Sequence, residues 1–350
     1  MQKRPLPLLC WKYWKNMTDT PSIEETTPEE PASSIPNIAD IKRAGFTAII
    51  GAPNAGKSTL VNRLVGTKVA IVTHKVQTTR FPVRGVAHSD DAQIVLVDTP
   101  GIFRAKKRLD RAMVKSAWSG ADEADAVVHL IDAAAWVAVA EDKASGAERL
   151  SVEDDRRVMM TLKETGRKAF LALNKIDLFP HEQVLPIMAE LKEADVYEEM
   201  FMLSALNGDG VKRLASVLAS RMPEGPAMYP PEQTADLPMR LLAAEVTREK
   251  LMLRLHQELP YQLMVETESW EPFDNGAVKI RQAIIIAREQ HKGMVLGKGG
   301  ATIKQIGKAA REDLTEMLGQ TVHLILFVKV DPKWMERREA YTAFGLEFDV

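Results

Sequence analysis

The feature that most constrains this chain is Gly51-Ala52-Pro53-Asn54-Ala55-Gly56-Lys57-Ser58, which fits G-x-x-x-x-G-K-[ST]. The apolar run 46–50 before it reads as a short buried strand. The stretch 58–65 after it reads as a helix with Leu60, Val61, Leu64 and Val65 inward. A strand feeding a helix through a glycine loop aims backbone N–H groups and the positive end of the helix dipole at one point, which suits a phosphate. Lys57 is then expected to reach the outer phosphates and Ser58 to ligate Mg²⁺. The nucleotide-binding set expected here is Gly51, Asn54, Ala55, Gly56, Lys57, Ser58 and Thr59.

Later motifs select the base. Asp98-Thr99-Pro100-Gly101 follows the apolar run 94–97. An aspartate at a strand end can hold Mg²⁺ through a water, and Gly101 can offer its N–H to the terminal phosphate. Asn174-Lys175-Ile176-Asp177 follows the run 169–173. Asp177 can accept from the ring N–H and the exocyclic amine of guanine, and adenine offers neither. Such a site rejects the wrong base because its buried polar groups are left unpaired. Asn174 is expected on the base's other edge, and the stem of Lys175 over its face. Ser204-Ala205 follows 200–203, with the Ala205 N–H expected to meet the guanine carbonyl. Each motif stands at the carboxyl end of an apolar strand, where open α/β sheets bind ligands.

Residues 44–221 alternate apolar strands (46–50, 81–87, 94–97, 126–131, 169–173, 200–203) with longer helical stretches. That pattern predicts a mostly parallel sheet with helices on both faces. Residues 133–149 are alanine-rich and contain Trp136; they read as a surface excursion. Residues 222–236 hold four prolines and read as a linker.

A second, α+β domain is expected over 237–350. Its order is helix, strand, strand, helix, glycine loop, helix, strand, with a turn at Phe273-Asp274-Asn275-Gly276. The helical region 289–318 is broken by Gly297-Lys298-Gly299-Gly300. This order resembles a type II KH domain, whose G-x-x-G loop clamps single-stranded RNA. Between Asn275 and Arg311 eight basic residues stand against one acid, Glu289, so the loop lies in a basic region. The expected RNA contacts are Lys292, Gly297, Lys298, Gly299, Gly300 and Lys304.

The set resembles the translation-factor-like GTPases, and more closely the Era family of ribosome-associated GTPases. The closer match rests on Asn54 in the phosphate loop, Gln77-Thr78-Thr79-Arg80, Asp98 to Gly101, Asn174 to Asp177 and the KH loop. The resemblance implies a Mg²⁺-dependent GTPase that assists small ribosomal subunit assembly, its KH domain holding the 3′ end of the 16S ribosomal RNA. It implies that Gln77 to Arg80 is the first switch, with Thr79 as the metal ligand and Thr78 as the alternative. It also implies that Asn54 helps hold a potassium ion, with a bond to the loop or switch backbone as the competing role. Lys57, Thr79, Gly101 and Asn54 are the expected catalytic set. A GDP-bound RNA scaffold without turnover is the rival function.

Composition narrows the setting. The formal net charge is −2, so no global field draws the chain to nucleic acid. The single cysteine, Cys10, excludes a disulfide framework and a thiolate zinc site. A cytoplasmic monomer is expected. Residues 1–43 read as a disordered extension, basic before Met17 and acidic after it, with Met17 as a candidate start. A floppy tail is preferred there over a peripheral contact with the inner membrane.

Overall fold

The computed structural model describes residues 37–256, 259–342 and 344–350. The first 36 residues of the expected extension lie outside them. Residues 36–350 form one compact unit.

The first half is built on strands β1 (Arg43–Ile50), β2 (Val83–Ser89), β3 (Ala92–Asp98), β4 (Ala126–Asp132), β5 (Ala169–Asn174), β6 (Tyr197–Met202) and β7 (Ala235–Asp236). Their spatial order is β6-β5-β4-β1-β3-β2-β7. β1 pairs in parallel with β3 on one side and β4 on the other, so the strand order reverses at β1. The phosphate loop leaves the sheet at that reversal, where crevices form in such folds. Register aligns the functional strand ends: Ile49 lies opposite Asp98, Ile50 opposite His129, and Asp132 opposite Asn174.

Helices α1 (Lys57–Val65), α2 (Arg108–Asp122), α3 (Ala133–Ala140), α4 (Gly146–Thr165), α5 (Leu185–Glu193) and α6 (Val211–Arg221) cover the sheet. One core gathers α1 and α6 residues such as Leu60, Val61, Leu214 and Leu218 under Ile49, Leu96 and Val128. Another places Ala117, Ala121, Val158 and Leu162 against Ala48, Ile50 and Val127.

Three expectations are corrected. Residues before 44 take part in the fold: Ile41 is buried, and the Lys42 N–H donates to Asp91 O at 2.9 Å. Residues 133–149 are a surface excursion only in their later part: 140–149 are largely exposed, but 133–137 are core. Asp132 caps α3 through the N–H groups of Ala134 and Ala135, and Ala133, Ala135, Trp136 and Val137 pack against Leu171, Leu173 and Ile187. A reciprocal Ser145–Glu148 capping box then opens α4. Residues 222–236 are no free linker. Met222 is core, Gln93 holds the backbone at Met228 and Tyr229, and β7 adds an antiparallel strand beside β2. Polar, proline-rich composition signalled a connection but not that its backbone would finish a sheet edge.

The second half holds α7 (Met239–Arg254), β8 (Leu263–Pro272), β9 (Val278–Ile286), α8 (Gln290–Leu296), α9 (Ala301–Leu318), β10 (Val322–Val330) and α10 (Arg338–Thr342). β9 is central, antiparallel to β8 and parallel to β10. One face of this sheet carries α7 and α9 through Ala244, Leu251, Ile284, Ile286 and Ile306. The other meets the nucleotide half: Met264, Ile285, Trp334, Tyr341 and Phe344 pack with Ala70, Phe81 and Met113. Among the described residues no helix is long and apolar enough to cross a membrane.

Candidate functional site

The phosphate loop needs glycine where other atoms already stand. Gly51 has φ +145°, and a Cβ there would lie 2.1 Å from Leu130 O. Gly56 has φ +100°, and its Cβ would lie 2.3 Å from Asn174 Nδ2. Gly101 approaches from β3 so closely that a Cβ would sit 2.8 Å from Pro53. The loop is therefore gripped by both later motifs.

Lys57 is buried, and its ammonium donates to the carbonyls of Gly51 (3.1 Å) and Ala52 (2.8 Å). Burial lowers its pKa to about 8, with Asp98 and Asp155 opposing. Burial conversely pushes Asp98 up to about 6, against the Ser58 hydrogen bond and the charge of Lys57. Ser58 Oγ donates to Asp98 Oδ2 at 2.7 Å, Thr79 Oγ1 donates to the same oxygen at 3.2 Å, and the two hydroxyls lie 3.0 Å apart. Asp98 Oδ1 is buried without a hydrogen-bond partner among the described residues. Two hydroxyls and a carboxylate with an unsatisfied oxygen converge on one spot, a donor set that fits Mg²⁺. Thr78, the alternative ligand, is turned elsewhere: its hydroxyl bonds Thr73 Oγ1 and Lys75 O, each at 2.7 Å. Asn54 sits at φ +64° and donates to His74 O at 3.1 Å. Its Oδ1 accepts no bond among the described residues.

Asn54, Lys57, Ser58, Thr78 and Thr79 border a cavity of about 650 Å³. Thr59, Gln77, Gly101 and Lys175 also line it, as do Glu148, Ser151 and Asp154 of α4. Ile102, directly after Gly101, is core, so its side chain cannot reach a water in the cavity.

The base-reading motif is placed partly as expected. Asp177 is exposed in a short turn after Lys175, which sits at φ +69°. Lys175 Nζ pairs with Asp132, which fixes the side chain at the strand edge. Asn174 takes a different role from the one expected. Its Nδ2 donates to Ala55 O at 2.7 Å, and its Oδ1 accepts from the Ala205 N–H at 2.9 Å. The amide thus ties the phosphate loop to the Ser204-Ala205 turn, and the Ala205 N–H is bonded within the protein. Ser204 is buried, and its Oγ accepts from the Asn207 N–H to shape that turn. Asp132 escaped sequence analysis although it also ends an apolar strand, which was the available signal.

In the second domain Gly297, Lys298, Gly299 and Gly300 join α8 to α9. Gly297 is packed: a Cβ would lie 2.1 Å from Thr302 Oγ1. Gly299 and Gly300 have positive φ, and open space lies where a Cβ would be. Gly300 caps α9 with no side-chain bond, leaving that helix N-terminus open to an anion. Lys298 and Lys304 are exposed and carry no ion pair among the described residues, whereas Lys292 faces Glu289 at 3.5 Å.

Comparison with known proteins agrees with this geometry. A family model described as a 50S ribosome-binding GTPase matches residues 46–175, and a KH domain model matches residues 258–335. The GTPase Era of Maricaulis maris (strain MCS10) is 58% identical over 309 residues, covering 88% of this chain and 98% of its own. That of Caulobacter vibrioides (strain NA1000 / CB15N) is 56% identical over 308 residues, with the same coverage. A solved variant of Aquifex aeolicus Era bound to GDP.AlF4⁻ superposes with a TM-score of 0.78 at 37% identity, covering 87% of this chain and 99% of that one. So does Era in complex with MgGDPNP and nucleotides 1506–1542 of 16S ribosomal RNA, with the same score, identity and coverage.

Proposed function

This chain belongs to the Era family of GTPases, and on that premise we propose that it is a GTP-driven switch that grips the 3′ end of the 16S ribosomal RNA during small-subunit assembly. The observation that carries the nucleotide part is the convergence of Ser58, Thr79 and the half-satisfied Asp98 in front of Lys57. Ser58, Thr79 and Asp98 would hold Mg²⁺, which when bound neutralises charge on the outer phosphates. Lys57 leaves its loop carbonyls for the phosphates. Gly101 presents its N–H beside Pro53. Asp177 reads guanine from the outside of a frame that Asn174 holds.

The RNA part is supported by the open backbone at Gly299 and Gly300, the exposed cations Lys298 and Lys304, and the Era structure solved with 16S RNA. The proposal takes the protein as a cytoplasmic monomer; contact of residues 1–43 with the inner membrane is not needed for it. Multiple-turnover hydrolysis of GTP by the purified protein with Mg²⁺ tests the reading. A GDP-holding scaffold would show no steady-state turnover.

Potassium fits as a second ion. Asn54 Nδ2 is occupied by the switch backbone at His74, and Oδ1 remains for a cation beside the phosphates. With Ile102 buried, that cation would act on the charge developing in the transition state. Steady-state hydrolysis in potassium should exceed that in sodium at matched ionic strength by several-fold, a barrier lowered by ~1 kcal/mol or more. Asn54→Ala should lose the difference. Equal wild-type rates in the two salts would leave Asn54 as a switch tether alone.

A further inference from the structure

Beneath the phosphate loop lies a carboxylate that none of the nucleotide motifs contains. Asp155, midway along α4, is wholly buried. Its Oδ1 accepts from the Ala52 N–H at 3.4 Å, and its Oδ2 accepts from Trp136 Nε1 at 3.0 Å. His129 Nε2 stands 3.5 Å from Oδ1 and has no hydrogen-bond partner among the described residues, while His129 Nδ1 lies 2.8 Å from the Tyr197 hydroxyl. His129 itself underlies Gly51, where a Cβ would come within 3.6 Å of its ring. A polar chain therefore runs from β6 through β4 and α4 to the second residue of the phosphate loop.

A buried carboxylate is costly unless it is hydrogen-bonded. Here the bonds come from the loop and from Trp136 on α3, the helix that the sequence had suggested was a surface excursion. Asp155 also places negative charge behind Lys57, favouring its ammonium. We infer that Asp155, oriented by Trp136, is a positioning residue for GTP: it sets the entry of the phosphate loop in its phosphate-accepting shape.

The inference rests on the nucleotide site proposed above, so wild-type binding is measured alongside. Asp155→Asn is nearly isosteric, but its amide has one acceptor and one donor end. Either orientation points N–H at the indole N–H or at the loop N–H. Leaving such a buried group mispaired should raise the Kd for GDP and GTP about tenfold. KM should rise by a similar factor, kcat should stay within about twofold, and RNA binding by the KH loop should be unchanged. Trp136→Phe keeps an aromatic ring but removes the donor, and should raise Kd about threefold. That variant decides the matter if Asp155→Asn does not fold. Wild type failing to bind guanine nucleotide would sink the functional reading itself. With wild type binding, an unchanged Kd in both variants overturns the inference. So does a fall in kcat at constant KM, which assigns Asp155 to the transition state rather than to nucleotide binding, or a joint loss of nucleotide and RNA binding, which assigns it to the fold alone.

Discussion

In the function proposed above, guanine selectivity rests on one exposed carboxylate in the turn after β5. Asp177 is exposed and accepts no bond among the described residues, so both its oxygens are available to a base. Its neighbours do the holding: Lys175 is pinned by Asp132, and Asn174 braces Gly56 from behind. Asp177→Asn should therefore change which base is read without disturbing the frame. Xanthine carries a carbonyl where guanine carries its amine, and the asparagine amide can donate to it. Titrations should show guanosine nucleotide affinity falling and xanthosine nucleotide affinity rising, a swing of one bidentate recognition, on the order of 10²-fold or more. Unchanged guanine preference would remove Asp177 from base reading. At this scale the sequence was eloquent about residues at strand ends and silent about partners. Asp98, Asn174 and Asp177 were legible because a strand end followed by a short polar motif has few other uses. That Asn174 would turn inward, or that Asp155 would sit under the loop, depends on tertiary packing no local spacing encodes.

Among the elements, the irregular stretch between α1 and β2 is the most revealing. It contains Gln77 to Arg80; the other domain bonds two of its backbone groups, at Val72 and Thr78, and receives the Arg80 side chain. Arg80 is buried and donates to the backbone oxygens of Leu263 (2.6 Å), Pro260 (3.1 Å) and Tyr261 (3.3 Å). Arg248 of α7, paired with Glu245, donates to Thr78 O, and Glu249 accepts from the Val72 N–H at 2.9 Å. Burial and the like charge of Arg248 lower the pKa of Arg80, so the guanidinium depends on those carbonyls. A lysine cannot span three acceptors with one ammonium. Arg80→Lys should cost about 1–3 kcal/mol of stability and speed amide hydrogen exchange across this stretch, with α9 unaffected. Exchange that is unchanged there would show that the clamp is not needed to order the switch. Strand and helix positions were readable from apolar runs, but this clamp was not. A polar loop gives no sign that its carbonyl and amide partners lie about 170–180 residues further along the chain.

At the scale of the whole molecule the two domains share one interior. Phe81 stacks on Phe344 with ring centroids 5.2 Å apart, and Met113 packs in the same cluster as Met264 and Tyr341. The sequence suggested two separate cores joined by a proline-rich linker. The structure instead seals the interface with residues after β10, including α10, that carried no motif. A shared core means that damage to packing in one half reaches the other. Surface contacts should still separate, because each ligand site lies outside that cluster. A Cβ added at Gly300 meets no atom within 4 Å. Its φ of +78° costs a non-glycine residue roughly 1–2 kcal/mol, which aspartate tolerates better than most. The folded protein would then carry a negative side chain where an RNA backbone must approach. Single-strand RNA binding should be abolished while GDP affinity stays within about twofold of wild type. Lys57→Ala removes the ammonium that meets the phosphates and should do the reverse. Filter binding with an RNA of the 16S 3′ end and nucleotide titration on the same preparations read both. RNA affinity near wild type in Gly300→Asp would refute the KH clamp. Loss of both ligands in either variant would mean that the shared core, rather than two surface sites, governs binding.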